Sequence, residues 1–146
     1  MEKRIDINEK EPQAYKAMYA LENYLQSSNL SKTHKHLIKI RASQINKCAF
    51  CIDMHTKEAI KTGENVARIF LLDAWGETNK FTDEEKVILT MTEEITMINE
   101  HGLSDSTYNK ALALFDENYV SQIIMAIVTI NGWNRIAVST NMGIGI

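Results

Sequence analysis

An all-α bundle is the fold this sequence predicts, and three observations predict it. The 146 residues include 1 proline and 6 glycines, too few for a fold rich in tight turns. Apolar residues recur three and four positions apart through most of the chain, the period of one helix face. Residues suited to capping helices stand at the head of several of these runs. The length suits one domain with a single sizeable core. No repeat, low-complexity stretch or compositional shift divides residues 1–146.

Taken in order, Pro12 suits the first turn of a helix, where its missing N–H costs little. Behind it Ala14, Met18, Leu21 and Leu25 form one apolar face that ends by Asn29. Ser31 is a natural N-cap for a second helix. Leu37, Ile38, Ile45 and the stem of Arg41 mark that helix as far as Asn46. A third helix is expected to begin just before Cys48 and to end at Gly63, which can take the left-handed position after a helix. A short apolar segment, Val66–Trp75, follows. Thr82 and Glu85 have capping-box spacing and open a helix with Val87, Met91, Ile95 and Ile98 on one face, stopped by Gly102. Ser104 caps the next helix, with Leu103 and Tyr108 spaced as a hydrophobic staple.

The last segment starts near Tyr119 and carries Ile123, Ile124, Ile127, Val128 and Ile130, β-branched residues that a buried strand would also use. Its length, with the continuation Trp133–Val138, and the helical pattern of all that precedes it favour a fully buried helix. So apolar a segment is hard to bury in a monomer of this size, which points to an oligomer.

Several function classes drop out on composition. Net charge is −3 with both signs interspersed, so no basic stripe offers a nucleic-acid surface. The longest apolar stretch, around Ile123–Ile130, is far too short to span a bilayer. The opening MEKRIDINEKEPQ has no apolar core behind its charges, unlike a secretory signal, so a cytoplasmic location is expected, where thiols are kept reduced.

In that setting the only two cysteines, Cys48 and Cys51, read as redox chemistry or half a metal site rather than as a structural staple. With each helical residue advancing roughly 100°, Cys48, Cys51 and His55 share one face, and Cys51 and His55 are neighbours one turn apart. An imidazole beside a thiol can take its proton and leave the nucleophilic thiolate, and a helix N-terminus favours the same anion. Two thiols at this spacing can also close a disulfide. Together these permit a cycle in which a thiolate attacks a peroxide, becomes a sulfenic acid and is resolved by the second thiol. Two alternatives stay open at this point. The cysteines could be small core residues. Zinc could take Cys48, Cys51, His55 and His36, although zinc sites usually split their ligands into two separated pairs and three of these crowd one helix face.

Other polar and aromatic residues read more plainly. Asp53 points roughly 160° away from the Cys51–His55 direction and suits a solvated role. His34 and His101 lie in polar surroundings and are expected at the surface. Arg135 and Asn131 flank the apolar segment and are expected to satisfy backbone or carboxylate groups at a subunit contact.

The segment Arg41–Ala59, RASQINKCAFCIDMHTKEA, resembles the core of the AhpD-like alkylhydroperoxidase family within the carboxymuconolactone decarboxylase superfamily. The likeness extends to Trp75–Glu85, WGETNKFTDEE, and to Ile130–Ile136, INGWNRI, and covers nearly the whole chain from about residue 15. The resemblance implies an AhpD-like helical bundle that assembles as homotrimers or homohexamers. It implies reduction of hydroperoxides by a CxxC dithiol, with no cofactor and no metal, recharged by an external dithiol donor of lipoyl or thioredoxin-like type. By the same resemblance Cys51 is the peroxidatic thiol, Cys48 the resolving one, and His55 carries protons for the pair. Local geometry alone does not rank the thiols, because nearness to the helix N-terminus favours Cys48 as the thiolate. Trp75, Trp133 and Tyr15 could line a pocket for an organic hydroperoxide, although core or interface anchoring is the commoner use of such rings.

One position departs from the pattern. The characterised peroxidases carry a glutamate twelve residues before the first cysteine, as the distal member of a proton relay, and here that residue is His36. Imidazole also shuttles protons, but when protonated it lowers nearby thiol pKa values where a carboxylate raises them. Two other functions remain alternatives: a lyase acting on a small lactone acid, as in the superfamily's decarboxylase branch, and a non-catalytic redox-sensing or metal-binding module.

Overall fold

The structure, a computed structural model, describes residues 2–144. Among them only helices occur: α1 (Ile7–Lys10), α2 (Pro12–Ser27), α3 (Lys32–Ile45), α4 (Ala49–Lys61), α5 (Val66–Leu71), a 3₁₀ segment (Leu72–Glu77), α6 (Asp83–Thr96), α7 (Asp105–Leu114) and α8 (Glu117–Ser139). None is long and apolar enough to cross a membrane.

Helix α3 is the axis of the bundle and packs against α4, α6 and α8. It can do so because it is apolar on two sides. Ile38 and Ala42 join Ile88, Met91, Ile123 and Ile127 in one cluster shared with α6 and α8. Leu37 and Ile40 join Ala59, Leu72, Phe81 and Leu89 in a second cluster. Helix α2 lies against α8, and Gly132 allows the approach: a Cβ there would stand 2.9 Å from the terminal methyl of Met18. The same contact brings Tyr15 and Tyr19 of α2 up to Trp133 of α8.

Most sequence-derived caps are present. Pro12 opens α2, Ser31 accepts the His34 N–H, Thr82 and Glu85 form a reciprocal capping box, and Ser104 accepts the Thr107 N–H. Gly63 follows α4 with a left-handed φ of 99°.

The differences are local. Helix α4 starts after Cys48 rather than before it, because Cys48 is itself the N-cap. Helix α6 ends at Thr96, so Ile98 falls beyond its apolar face and is 67% exposed. The segment Val66–Trp75 divides into α5 and a 3₁₀ stretch kinked at Ala74. The last segment is a helix, but it starts earlier, capped by Asp116, and it is not fully buried in this chain. Val128 and Val138 are 46% and 48% exposed, so α8 sinks one broad face and leaves a stripe open. Helix α1, a single turn capped by Asp6, has too few residues to show a period and was not foreseen.

Candidate active site

The site begins at the turn between α3 and α4. Lys47 takes a left-handed φ of 54°, and the Cys48 N–H then donates to the Ser43 carbonyl at 3.0 Å. The Asn46 amide donates to the side-chain oxygens of Asn131 and Asn134 at 2.9 Å each, and Asn134 donates to Ser43 Oγ at 3.0 Å. Asn134 and Ser43 are buried, so this network pins the turn to α8 without leaving those amides unpaired. As N-cap, Cys48 accepts the Cys51 N–H on its sulfur at 3.3 Å. Cys48 and Cys51 are joined by a disulfide, are 1% and 2% exposed, and pack with Phe50, Ala137 and Met142.

One turn further on, His55 is buried, and its Nδ1 lies 3.3 Å from Glu58 Oε2. Burial pushes the imidazole below its ordinary value, and the Lys39 ammonium pushes the same way, against the pull of Glu58. Burial also pushes the Glu58 carboxyl up, but the His55 hydrogen bond and the Lys39 charge outweigh it and leave the carboxyl below its ordinary value. At neutral pH the pair is therefore a neutral imidazole and a carboxylate. An ionised carboxylate only accepts, so Nδ1 carries the proton and Nε2 keeps the free lone pair of a base.

Cys51, His55 and Glu58 open onto a cavity of about 330 Å³. Tyr15, Tyr19 and Trp133 line it too, edge to face with centroids 5.2–5.8 Å apart. Glu22 ties the aromatic wall to its cation. One carboxylate oxygen accepts from Trp133 Nε1 at 3.1 Å, and the other pairs with Lys39 Nζ at 3.1 Å. Cys48 does not line this cavity.

His36 lines a different cavity, of about 290 Å³, with Lys32, Thr62, Glu64, Arg68 and Glu85. Its Nε2 lies 2.8 Å from Thr62 Oγ1, and that hydroxyl donates into the last turn of α4, at 3.0 Å from the Ala59 carbonyl. The hydroxyl proton being so used, Nε2–H is the donor and Nδ1 keeps its lone pair. Nδ1 is buried with no partner among the described residues. Burial pushes this imidazole down as well, while Glu58 pulls it up. Beside it Arg68 grips both oxygens of Glu85, at 2.6 and 3.1 Å, bonds Glu64 at 3.0 Å, and lies 4.8 Å over the Phe81 ring.

The structure thus brings Cys48, Cys51 and His55 together and puts His36 in a second chamber. The four residues weighed as zinc ligands do not converge: the sulfurs bond each other and His36 bonds Thr62. No cluster of three or more His, Cys, Asp or Glu among the described residues is arranged to hold a metal ion. Asp53 pairs with Lys57 at 2.8 Å. His101 is exposed, but His34 is not the free surface residue expected: its Nδ1 meets the Tyr119 hydroxyl at 2.6 Å and its ring packs on Phe115. Trp133 and Tyr15 line the cavity, whereas Trp75 donates to Glu93 at 2.7 Å, away from it. Arg135 donates to the Asn131 carbonyl, one turn back on its own helix. Sequence reasoning missed Glu58, Glu22 and Lys39. Glu58 sits three residues past His55, a spacing that was there to be read. Glu22 and Lys39 meet only through the packing of α2 on α3.

Comparison with known proteins agrees with this architecture. The family model described as the Carboxymuconolactone decarboxylase family matches residues 12–94. The uncharacterized protein YdfG of Bacillus subtilis (strain 168) is 40% identical over 139 residues, 95% of each chain. A crystal structure from Agrobacterium tumefaciens, ATU0492, described as a protein of unknown function and a candidate antioxidant-defence protein AhpD, superposes with a TM-score of 0.96 at 41% identity over 99% of each chain. An uncharacterized peroxidase-related protein from Silicibacter sp. TM1040 shares the fold, with a TM-score of 0.78 at 21% identity over 88% of this chain and 68% of that one. By the family match, by the relative that runs the length of the chain, and by the paired CxxC on its helix, this protein belongs to the carboxymuconolactone decarboxylase family, among its AhpD-like members.

Proposed function

We propose that the protein is a CxxC-dependent alkylhydroperoxidase, a thiol–disulfide oxidoreductase that reduces hydroperoxides through a Cys48–Cys51 disulfide cycle. The observation that carries this reading is the asymmetry of the pair: Cys51 opens onto a cavity beside a neutral imidazole, and Cys48 does not.

In the reduced protein His55 Nε2 takes the proton of Cys51. The thiolate attacks the outer oxygen of the hydroperoxide, the O–O bond breaks, and the alkoxide leaves as alcohol with the proton returned from His55. Cys51 is then a sulfenic acid. Cys48, held where an N-terminal N–H favours its thiolate, attacks the Cys51 sulfur, displaces hydroxide and closes the disulfide. Hydroxide leaves as water with the proton that Cys48 gave up. An external dithiol, of lipoyl or thioredoxin-like type, reduces the disulfide and is itself oxidised to one.

Glu58 is the positioning residue in this reading, since its hydrogen bond fixes the base at Nε2. His36 acts at one remove and only in acid, where its protonated ring adds a positive charge near Glu58. The exposed stripe of α8 supports assembly as a homotrimer or homohexamer.

The test is peroxide consumption with dihydrolipoamide as reductant. Turnover that depends on both cysteines is expected. Equal turnover in Cys51→Ser would sink the reading. Activity on a lactone acid that survives loss of both cysteines would favour the lyase branch instead.

A further inference from the structure

The cavity at Cys51 has a chemistry of its own beyond the thiols. Its volume of about 330 Å³ is at the small end for ligand sites and suits one aromatic ring with a short branched alkyl group. Tyr15, Tyr19, Trp133, Phe50 and Met54 supply apolar wall. Two carboxylates, Glu22 and Glu58, face one ammonium, Lys39, and Lys39 is already bound to Glu22. With His55 neutral, the lining carries a net charge of −1. An incoming carboxylate would lose hydration, meet Glu58, and have to displace Glu22 to reach the ammonium.

We infer that this cavity selects uncharged hydroperoxides built on an aromatic ring and disfavours those that carry a carboxylate. The electrostatic gate is the Glu22–Lys39 pair: while it is closed, the cavity offers an anion no free cation. The substrate half of this inference rests on the peroxidase reading. The binding half does not, and the two are separable by experiment.

The probes are product analogues that need no turnover. Calorimetric titration compares 2-phenyl-2-propanol with its para-carboxylate on the oxidised protein. A unit charge at several ångströms from an uncompensated carboxylate is expected to weaken binding roughly fivefold or more at low salt, and the gap should shrink as salt rises. Glu22→Gln leaves Lys39 unpaired and should narrow or reverse the preference. Lys39→Gln removes the cation and should widen it, which keeps the test decisive if the first variant does not fold. Equal or tighter binding of the carboxylate by the parent protein, no binding of either probe, or a preference that neither substitution moves would overturn the inference. In parallel, cumene hydroperoxide and its para-carboxylate are offered with dihydrolipoamide. Discrimination in binding without any turnover would uphold the binding half and sink the peroxidase reading together with the substrate half.

Discussion

Two cavities border α4, and they are built on different principles. The one reached by its first two turns holds Cys51, His55 and an aromatic wall, with an imidazole left neutral and a base nitrogen left free. The one at its last turn is polar, and its charges answer one another: Arg68 grips Glu85 and Glu64, and His36 bonds Thr62. The difference teaches that clustered ionisable groups do not by themselves mark a reactive site. The first cavity sets its open base nitrogen beside a cysteine, while the second spends its charge tying Arg68 of α5 to Glu85 of α6, and its one unpartnered nitrogen, His36 Nδ1, has no cysteine in the lining.

That contrast can be broken by experiment. The largest expected effect is on chemistry: Cys51→Ser should reduce peroxide turnover to that of the free dithiol while leaving the thermal midpoint close to that of the reduced parent. Arg68→Ala should do the reverse. Removing the guanidinium leaves the buried Glu85 carboxylate without a cation and with only the Thr82 N–H, which costs about 3 kcal/mol of stability by denaturant titration, and the reduced thiols of the folded variant should react as in the parent. If Arg68→Ala instead altered peroxide turnover with stability intact, the second cavity would not be merely structural. His55→Gln keeps volume and loses the base, and should lower turnover by about 100-fold with little effect on folding.

A smaller effect concerns pH. His34, His36 and His55 all have folded values pushed below 6.5, in each case first by burial. The unfolded chain therefore takes up protons before the folded protein does. Stability should be complete above pH 6.5 and fall as pH drops below it, until the folded values are passed. Glu58 and Glu85, with values held below 4.5, extend the loss further into acid. Thermal midpoints measured between pH 7.5 and pH 5 check the sign, and a midpoint that rises on acidification would contradict it. Smallest of all, His36→Glu should change turnover at pH 7 by less than about threefold, since it acts only through Glu58, yet shift the pH profile of thiol alkylation. Identical profiles for the two proteins would remove His36 from the mechanism.

Much of this architecture was legible in the sequence because its signals are local. Ser31, Thr82 and Ser104 announce helix starts through bonds to residues three positions on, and Cys48, Cys51 and His55 share a face by spacing alone. What escaped depends on packing between helices. Val128 reads like its buried neighbours but lies on the side of α8 that nothing in this chain covers. His34 looks polar in sequence, and only the fold of α3 against the start of α8 supplies Tyr119 and Phe115. The glutamate expected at position 36 by analogy is a histidine, and Glu58, from the same helix as His55, supplies the carboxylate contact instead. The pattern of motif residues was visible; the chamber each one faces was not.

The central claim is that Cys51 alone meets the peroxide. It is tested most directly by treating reduced Cys48→Ser and Cys51→Ser proteins with cumene hydroperoxide and trapping sulfenic acid with dimedone for mass analysis. A dimedone adduct on Cys51 in the first variant, with little or none on Cys48 in the second, is the predicted result. An adduct that forms as fast on Cys48 would contradict it.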